Sequence, residues 1–251
     1  MNNAVVKRLF FSSLIFVFLS FCLVAQEAAQ EAAQETDDKF EQFAELKIIQ
    51  YCKSPISAER YGVVGTYGIG QEDWTARAGF SFAKKDGVLN LSGIWHPLRA
   101  GNWNFGIELI YNLDFYWSYA LCITNNILPG FYFDWNPASW YRMTLHADYF
   151  LKLRSLFALE GTPCLWNSSF AFSWKNSFFP AKDFCIYLEF SSIDDFSYKI
   201  LFSPIFVLGF DYTIKEVWSL CVEVLTEYQD FFTLSAQYFD TLINISVRYK
   251  W

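Results

Sequence analysis

The sequence predicts an all-β fold: a closed antiparallel transmembrane β-barrel of about twelve to fourteen strands, preceded by a short helical or disordered spacer. Three observations carry this. Hydrophobic residues make up 53% of the chain and charged residues 18%, yet the apolar content is spread in short pieces. From about residue 60 onward apolar and polar residues alternate with a period of two, as in a strand with one greasy and one wet face. No Asp, Glu, Lys, Arg or His falls on the apolar face of these runs. A sheet facing water tolerates scattered charges on its outside. A sheet facing lipid does not, because a mid-bilayer Arg or Lys costs roughly 2–4 kcal/mol. Unpaired backbone groups cannot be hydrated there either, so the sheet must close on itself.

The N-terminus reads as a cleavable export signal over residues 1–25. Lys7 and Arg8 precede an apolar run from Leu9 to Val24, with cleavage after Ala25. Beyond it no segment reaches the roughly 18–20 uninterrupted apolar residues of a membrane helix. Removing Lys7 and Arg8 takes the net charge from −7 to −9. Residues 26–45 form an Ala/Gln/Glu-rich acidic spacer built on a repeated four-residue unit. These are strong helix formers with no apolar stripe, so nothing forces them to pack. Phe40, Phe43, Leu46, Ile48 and Ile49 read as the start of a short amphipathic helix or plug. The barrel domain then occupies 46–251, with its first strand near residue 60.

The dyad opens with Trp74, Ala76, Ala78, Phe80 and Phe82 against Thr75, Arg77, Gly79 and Ser81. Lys84-Lys85-Asp86-Gly87 reads as a tight hairpin turn. Leu89–Trp95 and Trp103–Tyr111 follow. The pattern continues through Phe115–Ile123, Phe131–Trp135, Tyr141–Leu153, Trp166–Trp174, Phe184–Phe190, Tyr198–Phe202, Phe206–Tyr212, Trp218–Val224 and Phe232–Tyr238. In the last ten residues Ile243, Ile245, Val247, Tyr249 and Trp251 alternate with Asn244, Ser246, Arg248 and Lys250.

An export signal, repeated dyads and an aromatic-ended terminal strand together resemble the small bacterial outer-membrane β-barrel proteins, porin-like, over roughly residues 60–251. The resemblance implies residence in the bacterial outer membrane, with its lipid and the barrel assembly machinery as partners. It also implies that Tyr249 and Trp251 form the membrane-assembly signal, with Trp251 where that family most often has Phe. Both rings would sit at the membrane interface, where amphipathic aromatics are favoured.

Composition excludes a nucleic-acid binder, which needs a clustered basic surface. Five cysteines follow the signal: Cys52, Cys122, Cys164, Cys185 and Cys221. None forms a CxxC pair, so no metal or redox site is indicated and they read as small fillers. No cofactor is expected. Gly65–Gly70 lacks the helix that a nucleotide-binding glycine loop requires and reads as a strand end. Asp194-Asp195 reads as a solvated acidic turn.

The lumen is the one polar concavity that the pattern offers. Arg77, Glu108, Arg142, His146, Asp148, Glu189, Glu223 and Arg248 are expected to line it, with Thr144 beside Arg142 and His146. Such charges either pair and fill a narrow barrel or line a wet pore and set its selectivity. The first reading is a passive channel for small solutes or ions. The alternative is a closed structural or surface-interaction, adhesin-like barrel that binds surface ligands without transport. A soluble ligand-binding barrel conflicts with the uncharged outer face. A lumen-edge lipid- or peptide-modifying enzyme ranks last. His146 and Asp148 share one face, with Cα atoms roughly 6.5–7 Å apart, and Ser169 or Ser173 is expected on the neighbouring strand. The sequence shows neither a positioned nucleophile nor oxyanion donors, so no enzyme is expected. His96 is placed at a loop edge before Pro97 and given no role.

Overall fold

The structure, a computed structural model, describes residues 40–51, 61–82, 86–116, 122–156, 165–194, 197–198, 204–228 and 241–251. Among them there is no helix, and hence none long and apolar enough to cross a membrane. The strands are β1 (Glu41–Tyr51), β2 (Tyr61–Gly70), β3 (Trp74–Phe82), β4 (Asp86–Ala100), β5 (Trp103–Tyr116), β6 (Cys122–Ala138), β7 (Tyr141–Leu156), β8 (Leu165–Ala181), β9 (Phe184–Ser191), β10 (Ile193–Asp194), β11 (Ser197–Tyr198), β12 (Ile205–Ile214), β13 (Trp218–Glu227) and β14 (Thr241–Lys250). All but β10 and β11, which pair as a small separate hairpin, form a closed barrel of twelve strands. Neighbours pair antiparallel, and β14 returns to β1 from Phe43 opposite Lys250 to Tyr51 opposite Leu242.

Alternation decides which way each side chain points. In β12, Phe206, Leu208, Phe210, Tyr212 and Ile214 are exposed on the outside, while Ile205, Val207 and Gly209 are buried within. Register carries the same phase to both neighbours. Phe210 lies opposite Ile186 and Val222, and Asp211 opposite Cys185 and Cys221. Every described tryptophan outside the turns (Trp74, Trp95, Trp103, Trp135, Trp166, Trp174, Trp218 and Trp251) falls on the outward phase. Trp140 stands in the turn before β7. At one end the stacked rings of Trp103 and Trp135, 5.2 Å apart, form part of an aromatic girdle. Trp218, Tyr249 and Trp251 continue it.

That end carries the short turns. Gly101, at φ 60°, takes the left-handed conformation that a two-residue hairpin needs. Lys215 and Glu216 adopt the same region at φ 54° and 63°, with side chains that do not favour it. Three neighbouring hairpins share a device here. β4, β6 and β8 each break register just before their turns, between Trp95 and Leu98, Trp135 and Ala138, and Phe178 and Ala181. Each break holds a proline: Pro97, Pro137 and Pro180. Proline cannot donate to a ladder and is therefore confined to bulges or edges. The residue before each proline donates its amide to the preceding hairpin's turn. His96 reaches Asp73 at 2.7 Å, Asn136 reaches Asn102 at 2.9 Å and Phe179 reaches Trp140 at 2.8 Å.

Strand height is uneven. β4 to β8 run 14–17 residues. The other barrel strands run 8–11, close to the roughly 9–11 that cross a bilayer.

The structure departs from the sequence reading in places. The barrel begins at Glu41, so Phe40–Ile49 builds the wall as β1 rather than a helix or plug, ahead of the strand expected near residue 60. The run Phe115–Ile123 divides between the end of β5 and the start of β6. Phe131–Trp135 is the lower part of a longer β6 that passes straight through Pro129. The turn expected at Lys84–Gly87 lies mostly outside the described residues, with Asp86 and Gly87 already in β4. The signal, the spacer up to residue 39, Phe232–Tyr238 and most of Tyr198–Phe202 also lie outside them.

Candidate functional site

The inward phase builds two different interiors. Toward the short turns the lumen holds a cavity of about 660 Å³, lined by residues of most strands from β3 to β14. Arg77, Glu108, Arg142, His146, Glu189 and Arg248 are among its lining residues. A smaller cavity of about 280 Å³ continues past Arg77, Glu108, His146 and Arg248 to Glu45 and Lys47 on β1. Glu223 and Asp148 line neither cavity. Asp148 is buried and Glu223 half-buried, each among neighbouring side chains.

Most of the charges are paired. Arg142 Nε donates to Asp134 Oδ1 at 2.6 Å. Arg248 Nη2 lies 2.6 Å from Glu45 Oε2, joining β14 to β1 at the closing seam. Lys47 Nζ donates to Glu223 Oε2 at 3.1 Å, and Asn244 adds a bond to the same oxygen at 2.9 Å. Tyr187 OH donates to the other Glu223 oxygen. A buried carboxylate with this many donors is well compensated. At the cavity rim Lys182 donates to Glu216 at 2.7 Å, and that bond holds the exposed Glu216 carboxyl below its ordinary range.

Two cations differ. The Arg77 guanidinium lies 5.8 Å from the Phe43 ring, with Arg248 at 5.2 Å from the same ring. Lys175 Nζ sits 3.5 Å from the Tyr187 ring centre. No ion pair within 4 Å joins either to a described carboxylate, so both offer charge to the cavity. Glu189 and Asp211 offer the opposite sign from β9 and β12.

Three glycines make these crossings possible. A Cβ on Gly68 would strike the Phe43 ring, one on Gly130 the Asp148 carboxylate, and one on Gly209 the Tyr187 ring. In each case a side chain from a neighbouring strand lies flat over the glycine. Tyr187 thereby crosses β12 to reach Glu223 on β13.

His146 and Asp148, which share a face, do not hydrogen-bond each other. Same-face spacing along one strand holds the two apart. His146 Nδ1 instead donates over β6 to Glu108 Oε2 at 2.5 Å. Asp148 lies over Gly130, with neither oxygen hydrogen-bonded. Ser173 is the cross-strand neighbour of His146, whereas Ser169 faces Phe150. The Ser173 hydroxyl donates to Glu189 at 2.7 Å. His96 is no loop edge. It belongs to β4 and lines the cavity, its ring 5.3 Å from that of Tyr132. Sequence reading missed Lys175, Asp211, Glu45 and Lys47. Lys175 was visible in principle, since Ser173, Lys175 and Ser177 continue the inward phase one step past Trp174. Among the described residues no group of three or more His, Cys, Asp or Glu could hold a metal ion. Cys185 and Cys221 are free thiols.

Bordering the cavities, the interior also holds buried apolar side chains, set among polar ones such as Asn90, Asn112 and Asn126. Ile110, Leu128, Phe150 and Ala171 of β5–β8 form one buried cluster. Tyr187, Ile205, Val207, Leu225 and Leu242 of β9 and β12–β14 form another.

The fold is a closed twelve-stranded antiparallel β-barrel with an uncharged outer face and a charged lumen. Among solved structures the chain is similar to the KdgM porin, at 11% identity and a TM-score of 0.57, covering 82% of this chain and 98% of that one. The same porin in complex with disordered oligogalacturonate matches with the same figures. The NanC porin matches at 8% identity and a TM-score of 0.58, again over 82% and 98%. At these identities the likeness is one of fold. No protein-family model and no curated protein sequence matches the chain.

Proposed function

We propose that this protein is a passive channel for small polar solutes or ions in the bacterial outer membrane. The observation that carries the reading is the wet cavity inside a lipid-compatible barrel, lined by charges of both signs. Arg77, Lys175, Glu189 and Asp211 stand at that cavity without bridging one another, and such groups set the selectivity of a pore. The oligogalacturonate-bound porin of the same fold binds a polyanion. The mixed signs here suit small solutes of either charge better. Export by the N-terminal signal, and recognition of Tyr249 and Trp251 by the barrel assembly machinery, belong to the same proposal.

Single-channel recording in planar bilayers tests it. Discrete conductance steps are expected, and Arg77→Ala with Lys175→Ala should shift the reversal potential in a salt gradient toward cations. Absence of conductance from a barrel shown to be folded by heat-modifiable gel mobility would overturn the proposal. Stable folding in buffer without detergent would overturn the membrane assignment. The two apolar clusters favour a second reading, a barrel closed to transport that acts through its surface.

A further inference from the structure

We propose that the apolar clusters form a gate, so that the charged cavity is a vestibule and not one end of an open tube. The inference rests on the channel reading. Inward-facing Ile110, Leu128 and Phe150 are 0–8% exposed, as are Val207, Leu225 and Leu242 at 4–7%. Within the same barrel Arg77, Arg142 and Arg248 are exposed to the cavity. An ion leaving the vestibule would have to pass these side chains and shed hydration against them, although Glu189 lies opposite Val207 and Asp148 opposite Ala171. Apolar constrictions of this kind close pores by excluding water.

The construction also lets the gate open. The clusters are made of side chains, while the wall is held by backbone ladders that need not break. They are separate bodies, one on β5–β8 and one on β9 and β12–β14. A seam therefore runs between them. The polar bonds beside the first cluster, Asn90 to Asn112 at 2.5 Å and Asn126 to Asp114 at 2.8 Å, join neighbouring strands.

The test is planar-bilayer recording of the full chain beside Leu128→Ala and Leu225→Ala, one from each cluster. Heat-modifiable mobility establishes that each variant is a folded barrel, and a variant that fails leaves the other to decide. The expected result is a wild type that is mostly closed, and variants whose open probability rises by about ten-fold or more, as the loss of a buried leucine's packing implies. A wild type that conducts steadily, with variants no more open, overturns the gate and leaves the channel intact. Folded wild type and variants that are all silent overturn the channel reading itself, and the gate with it.

Discussion

Gly209→Ala should destabilise the barrel although alanine is the better strand residue. On propensity alone the change is neutral or favourable, since glycine in a strand weakens it. The structure argues otherwise. The new methyl falls on the Tyr187 ring, which lies across β12 and cannot slide aside without leaving Glu223. Losing a hydrogen bond to a charged group costs about 1.5–3 kcal/mol, and forcing extra volume into a packed site about 1–3 kcal/mol. The expected total is about 2.5–6 kcal/mol, roughly a 10²–10⁴-fold loss in the folded-to-unfolded ratio. Urea titration of the lipid-folded protein, followed by tryptophan fluorescence and by heat-modifiable mobility, measures it. Tyr187→Phe should lose the hydrogen-bond part alone. In a Tyr187→Ala background the glycine substitution should cost less than about 1 kcal/mol, because the two act through one contact. A cost below about 0.5 kcal/mol in the wild type, or the same cost in both backgrounds, would refute the reasoning.

Further expectations are open to the same titration. Glu223→Gln removes the carboxylate charge that Lys47, Tyr187 and Asn244 share and should cost about 3–5 kcal/mol, whereas joint replacement by Glu223→Leu and Lys47→Met should cost clearly less. Ile245→Arg places a charge on the outward face between Ile48 and Val222 and should cost about 2–4 kcal/mol, with no gain from added salt. Lys215→Gly relieves a left-handed residue in an exposed turn and should raise stability by about 0.5–1 kcal/mol. A drop on that change would show that the turn is held by side-chain contacts instead.

The wall was legible because lipid imposes one rule on every strand. Uncharged alternation placed Trp74–Phe82, Tyr141–Leu153 and Trp218–Val224 inside strands, each with the observed outward phase. It failed where the rule is silent. Ile49 is apolar yet inward, so β1 alternates poorly and read as a helix. Ile110, Leu128, Phe150 and Val207 are inward for the same reason that they passed unnoticed. A greasy residue in a membrane barrel reads as lipid-facing, and nothing local separates an apolar lumen from an apolar belt. Pairing was the other blind spot. That His146 meets Glu108 and not Asp148 depends on register across β5, β6 and β7, which no single strand encodes. The glycine crossings are similar. Gly209 and Tyr187 are far apart in sequence terms for any pattern of period two, and only β12 lying between β9 and β13 brings them together.

The uneven strand heights bear on how the molecule rests in its bilayer. Leu153, Trp166 and Phe170 carry exposed apolar surface on the tall arc of β7 and β8, above the level at which β9 and β12 end. A rigid cylinder with a higher apolar band on one flank cannot match a bilayer of uniform thickness while standing upright. Tilting a cylinder shortens both flanks alike, so in a bilayer the difference would have to be taken up by the lipid, thicker beside β4–β8 than beside β12–β14, at fractions of a kcal/mol per ångström of mismatch.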